Sequence, residues 1–167
     1  MAETEIEELK QRISVLEQSP NFRAHQHTGT DSIKVIYSDL DKKKLWVHHT
    51  IQGTAAATLT NYGVFWIAPV ACFVTKFQEV HQTAGSDGSA VTLTLEKLTG
   101  TTAPDSGTVL LTTALSLKAT ANTVQTGTLV TTIASYSMNA GDRLCLKDAG
   151  TLTAVDNVTV LTEITIV

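Results

Sequence analysis

The chain has 167 residues, 17% of them charged, with a formal net charge of −4. That length holds one short appendage and one domain of ordinary size, which excludes a multidomain enzyme. The acidic balance, with Lys42-Lys43-Lys44 as the one basic cluster, argues against phosphate-backbone binding and hence against a nucleic-acid partner.

The first element is a helix. In MAETEIEELKQRISVLEQ, Ile6, Leu9, Ile13 and Leu16 take positions a, d, a and d of a heptad repeat, with Ala2 on the preceding d. Glu5 and Arg12 fall at g, and Lys10 and Glu17 at e, so a parallel pairing sets Glu5 against Lys10 and Arg12 against Glu17 of a neighbour. An antiparallel pairing loses both matches. The alternative is an amphipathic helix packed on its own domain.

Isoleucine at a with leucine at d favours two strands. The hexad Arg12-Ile13-Ser14-Val15-Leu16-Glu17 resembles the trimerisation signature of short coiled coils, and that resemblance implies three. Ile6, Leu9, Arg12, Ile13, Leu16 and Glu17 are therefore the expected trimerisation residues. Helices below roughly 12 to 15 residues are marginal in water, so about two heptads cannot hold three chains alone. Most of the interface is expected downstream.

Pro20 ends the helix, because it lacks the backbone donor of a further turn. Residues 20–33, PNFRAHQHTGTDSI, have no helical period and read as an extended linker. Within it His25-Gln26-His27 is the one constellation with metal-ligand character, since residues i and i+2 of an extended strand project to the same side. Three chains about one axis would present six imidazoles, a set suited to iron or nickel and less to zinc. The motif resembles the metal-binding His-x-His repeats of trimeric phage tail-fibre tips, although here it occurs once. The alternative is a pair of solvated linker histidines, and no cofactor is required.

Residues 34–167 change character, becoming rich in threonine and valine and cut at short intervals by Gly, Asn, Asp or Pro. This predicts an antiparallel all-β domain, a sandwich or jelly roll of eight or so strands. Strands are expected at 33–38, 44–51, 63–68, 70–80, 108–117, 127–134 and 143–148. Two more follow from alternation: Val91, Leu93 and Leu95 against Thr92, Thr94 and Glu96, and Val158, Val160, Ile164 and Ile166 against Thr159, Glu163 and Thr165. Each should have one buried and one open face. The run NYGVFWIAPVACF is apolar in both phases, which suits a strand covered by its own sandwich on one side and by neighbouring subunits on the other, or a central strand within one monomer.

No catalytic arrangement emerges, and the expectation is a protein that is not an enzyme. His48 and His49 are adjacent on a strand and must point to opposite faces. There is no Gly-x-Ser-x-Gly elbow, phosphate loop or HExxH helix. Asp87, Asp105, Asp142, Asp148 and Asp156 lie in or beside turns, where Asp bonds to backbone. Cys72 and Cys145 sit in apolar segments and read as buried thiols. The acidic start and the lack of a long apolar run predict neither signal peptide nor membrane insertion, hence synthesis in a host cytoplasm.

The string HQHTGTDSIKV resembles a junction near the N-termini of many phage structural proteins, where a short segment passes into a β-rich body. The text from Val91 to Leu129 and from Met138 to Val155 is similar to the bodies of small phage fibre, spike and decoration proteins. Tyr136 to Leu144 resembles, more loosely, the trimeric jelly rolls of the C1q and tumour necrosis factor class. These resemblances imply a parallel homotrimer at the virion surface, a capsid decoration, head-fibre or spike protein partnered by other virion proteins. A tail-fibre or receptor-binding tip that attaches to host glycans or proteins is the alternative. The expected division is 1–19 coiled coil, 20–33 linker and 34–167 β-sandwich.

Overall fold

The computed structural model describes Glu7, Lys10, residues 44–54 and residues 63–167. Two compact units divide the chain, Met1–Asp41 and Lys42–Val167. In the first, Glu7 and Lys10 are helical and exposed, and Lys10 Nζ lies 3.3 Å from Glu7 Oε2, an in-chain pair one turn apart. The expected trimerisation residues, the two linker histidines and the strand at 33–38 lie outside the described residues.

The second unit is a sandwich of two antiparallel five-stranded sheets. Sheet A orders β1 (Lys44–Thr54), β10 (Asp156–Ile166), β3 (Cys72–Val80) and β7 (Gln125–Gly127), with β8 (Ser137–Met138) also on β3. Sheet B orders β2 (Val64–Ile67), β9 (Arg143–Ala149), β4 (Thr92–Leu98) and β5 (Thr108–Val109), with β6 (Leu115–Ser116) also on β4. The chain crosses repeatedly between sheets, and its first described strand pairs with its last: Lys44 is opposite Thr165 and Ile51 opposite Val158.

Period-two alternation builds the core. Val91, Leu93 and Leu95 of the β4 segment and Leu144 and Leu146 of β9 face Val74 and Phe77 of β3 and Val158, Val160 and Ile164 of β10, all buried in one cluster. Burying a side chain of this size is worth about 1.5–3 kcal/mol, so this layer is the main source of stability. Turn chemistry follows the local residues: Gly141 has φ +90°, and Asp142 Oδ2 accepts from the Asn139 N–H at 2.8 Å.

Two expected strands differ. The segment 108–117 is broken into β5 and β6 because Leu110 and Leu111 are both buried, which a regular strand with alternating sides cannot accomplish. In place of a strand at 127–134, β7 stops at Gly127 and residues Ile133–Tyr136 form a single helical turn, α1. A distant donor supports that turn: the buried Lys97 Nζ donates to the Ala134 carbonyl at 2.7 Å and to the Ser137 carbonyl at 2.9 Å.

Candidate functional site

The two outer faces of the sandwich are unlike. On sheet B, β9 presents Arg143, Cys145 and Lys147 outward beside Glu96 of β4. The loop 99–107 folds back over them. Arg143 Nη2 donates to the carbonyls of Gly100 and Thr102, both at 2.9 Å, and Lys147 Nζ to that of Asp105 at 3.1 Å. Close approach of the returning chain requires Gly107, where a Cβ would lie 2.6 Å from the Lys97 carbonyl oxygen.

Glu96, expected on an open face, is consequently buried. Lys147 Nζ lies 3.3 Å from its Oε1 and keeps the charge compensated. Burial, reinforced by Glu96 and Asp105, pushes the Cys145 thiol up to about 11, so it is a protonated, inert group. Burial also raises the Cys72 thiol, with Asp142 adding to it. Both cysteines are free.

Among the described residues no loop lies over the outer face of sheet A. One row runs across four strands, from His48 to Leu161 to Gln78 to Thr126, and Gln78 Nε2 donates to Thr126 Oγ1 at 3.1 Å. The next row joins Thr50 and Thr159, whose hydroxyls are 3.0 Å apart, to Val80. On the other side of His48 stands Trp46, 48% exposed. It lies opposite Glu163, whose Oε1 is 2.8 Å from Lys44 Nζ and accepts from Thr75 Oγ1 at 2.8 Å. Those two partners, Lys44 first, hold the Glu163 carboxyl below the usual carboxylate range. A groove of about 240 Å³ opens on this face between His48, Gln78, Val80, Val124, Thr159 and Leu161.

His49 points away from His48, as two neighbours on a strand must, and stacks on Phe65 of β2 with ring centroids 5.6 Å apart. That contact joins β1 to β2 and puts the edges of both sheets on one flank. Burial, with His48 assisting, lowers the His49 pKa.

A second titratable pair is sealed inside the sandwich at the end of β3. Glu79 and His81 follow Phe77 at spacings of two and share its inward phase. His81 Nδ1 is 2.7 Å from Glu79 Oε1, and His81 Nε2 is 3.1 Å from the Ala119 carbonyl oxygen. Gln125 Nε2 donates to Glu79 Oε2 at 2.7 Å and to the Ser116 carbonyl at 2.8 Å. A carbonyl only accepts, so Nε2 carries a proton, and the Nδ1–Oε1 contact needs one more between the two side chains. Burial raises the Glu79 carboxyl, against the opposing pull of His81 and Gln125. With both side chains at 0% exposure, the pair cannot meet a substrate and serves to clamp β3 to the segment 116–125.

The acidic residues that the sequence marks out lie in turns, and Glu79 and His81 are not among them. The available signal was two polar residues in the apolar phase of a strand. Its hydrogen-bond partners, 38 and 46 residues away, have no such signal. Among the described residues no group of three His, Cys, Asp or Glu side chains is arranged to hold a metal ion.

No family model and no curated protein matches the chain. Among solved structures, it is similar to a chain of the cyanophage Pam1 capsid asymmetric unit, with 11% identity and a TM-score of 0.48 over 74% of this chain and 84% of that one.

Proposed function

We propose that this chain is a bacteriophage virion structural protein, a parallel homotrimer that decorates the capsid as a head fibre, spike or cement protein. The observation that carries this reading is the coupling, in one chain, of an N-terminal heptad run to a sandwich with one self-covered face and one open face. The phage-like junction HQHTGTDS between them supports it. The shielded Glu79–His81 pair and the protonated Cys145 thiol are in keeping with a structural role. Antibody labelling of assembled particles tests the placement: labelled heads are expected, and label at the tail alone would overturn it.

One observation favours the receptor-binding alternative. The loops at 85–88, 99–107 and 148–153 lack aromatic residues, but Trp46 stands exposed on β1 two residues from His48 and opposite Glu163, a stacking surface next to hydrogen-bonding groups. Binding of the purified protein to host cells, compared with its Trp46→Ala variant, separates the readings. An architectural protein binds capsids and ignores cells, whereas a receptor tip binds cells and loses that binding without the indole. Metal analysis of the full chain beside a His25→Ala, His27→Ala variant tests the six-imidazole site: retained metal that the variant lacks would establish it, and its absence from both would remove it.

A further inference from the structure

We propose that Asp87–Gly88 is a self-modification site, where the backbone isomerises through a cyclic imide to isoaspartate under the direction of Lys118. Of all the aspartates and asparagines in the chain, Asp87 alone is followed by glycine. Glycine sets no side chain beside its own nitrogen, so the preceding carboxyl approaches that nitrogen with the least steric hindrance. Ring closure asks three things of the fold: a free carboxyl, a free amide nitrogen and room to move.

The loop between β3 and β4 supplies all three. Backbone bonds fix its base: Gly85 N–H donates to the Leu117 carbonyl at 2.8 Å, Ser86 N–H to that of Thr153 at 3.0 Å, and Leu117 N–H to that of Val91 at 2.9 Å. The tip lies beyond these anchors. There Gly88 is exposed, with nothing within 4 Å of the place a Cβ would take. Among the described residues neither the Asp87 carboxyl nor the Gly88 N–H has a hydrogen-bond partner.

Lys118 touches the peptide that reacts. Its Nζ donates to the Asp87 carbonyl at 2.6 Å and to the Ser89 carbonyl at 3.2 Å. Loss of the Gly88 amide proton to solvent leaves negative charge shared between that nitrogen and the Asp87 carbonyl oxygen, where the ammonium stabilises it. The nitrogen attacks Cγ of the protonated Asp87 carboxyl, an N–Cγ bond forms, and the hydroxyl leaves with a proton as water. Solvent water then reopens the ring. Addition at Cγ regenerates aspartate. Addition at the Asp87 carbonyl carbon breaks its bond to nitrogen, which leaves the chain running through Cβ and Cγ and sets free an α-carboxylate. Lys118 polarises that second carbonyl, and the oxygen it already holds becomes part of the new carboxylate. A bond to a neutral group is thereby exchanged for an ion pair, so the lysine favours the isomerised product.

Asp105–Ser106 provides the contrast within the same chain. Lys147 Nζ donates to the Asp105 carbonyl at 3.1 Å, but the Ser106 N–H is engaged by the Ala103 carbonyl at 3.2 Å and Asp105 Oδ1 is buried. A lysine on the carbonyl does not suffice where the nitrogen and the carboxyl are held, and this pair is expected to stay unmodified.

The test ages the full folded chain for weeks at neutral pH and maps its peptides by liquid chromatography and mass spectrometry. Isoaspartate is read as a peptide of unchanged mass and altered elution that accepts a methyl group from protein isoaspartyl methyltransferase. It is expected at position 87 and not at 105. Lys118→Met, with far-UV circular dichroism as the check on folding, is expected to accumulate it about two- to fivefold more slowly, the scale of an exposed charged contact. In denaturant the two chains should age alike. Asp87→Glu, which has a larger ring to close, is expected to give none. Folded wild type that ages without isoaspartate at 87 would overturn the site. Folded Lys118→Met that ages as fast as the wild type or faster, or a difference that persists in denaturant, would overturn the role of the lysine. Should Lys118→Met lose its β spectrum, Lys118→Gln is scored by the same criteria.

Discussion

Glu79 Oε1 and His81 Nδ1 stand 2.7 Å apart with both side chains shut away from water, and the geometry allows one shared proton between them. The Glu79 carboxyl is raised from its ordinary 4.5, chiefly by burial, so the folded state holds a proton that the unfolded chain has released. Its contribution to stability is fully present below 4.5 and is lost as pH rises through the higher folded value. Chemical-denaturation midpoints of the wild type should therefore fall over that window relative to Glu79→Gln, which keeps a polar partner without the titration. Equal pH profiles would show that the pair is not coupled to folding.

Lys97 is a buried lysine whose Nζ donates to the carbonyls of Ala134 and Ser137 at the helical turn. Lys97→Met keeps the apolar stem and removes the donor, orphaning two carbonyls, which should cost about 1–3 kcal/mol. Urea unfolding measures it. A loss below 0.5 kcal/mol, on the order of a surface change, would mean that α1 holds its shape without Lys97.

Gly150 ends β9 with φ +88°, and a Cβ there would run into the Ala90 carbonyl. Gly150→Ala combines an unfavourable backbone region with a clash, and strain alone amounts to about 1–3 kcal/mol. A melting temperature within error of the wild type would show that the Ala90 segment yields freely. Gly88, with open space where its Cβ would be, serves as the control, and Gly88→Ala should leave melting nearly unchanged.

The Cys145 thiol, pushed up to about 11, is protonated at pH 8 as well as buried. Ellman's reagent at that pH should therefore react with neither cysteine in the native protein and with both after denaturation. Rapid labelling of native Cys145 would mean that loop 99–107 opens readily, and substitution of Arg143 should then accelerate it.

The Lys44–Glu163 pair depresses the Glu163 carboxyl below 4.5, so its contribution is present above that pH and lost as pH falls through the folded value. Lys44 is half exposed, and pairs of this kind contribute about 0–1 kcal/mol. Lys44→Ala should therefore cost under about 1 kcal/mol at neutral pH and nothing in acid. A larger neutral-pH loss would indicate that the lysine stem also covers apolar surface.

Local rules with a two-residue period were legible from the amino acids. Opposite faces for His48 and His49, an inward phase for Val91, Leu93 and Leu95, and turns at Gly141-Asp142 all follow from how a strand alternates and how glycine and aspartate bend a chain. Those features required no knowledge of what lay across the fold. Glu96 is different: alternation assigns it to an outer face, and only the return of loop 99–107 decides that this face is covered. The one-turn helix at Ile133–Tyr136 likewise depends on a lysine of β4, distant in sequence. For the groove the deciding fact is that β1, β10 and β3, distant in sequence, lie side by side. Alternation is a property of neighbouring residues and is written along the chain, whereas cover is a property of whatever the chain brings back over them, which no local pattern encodes.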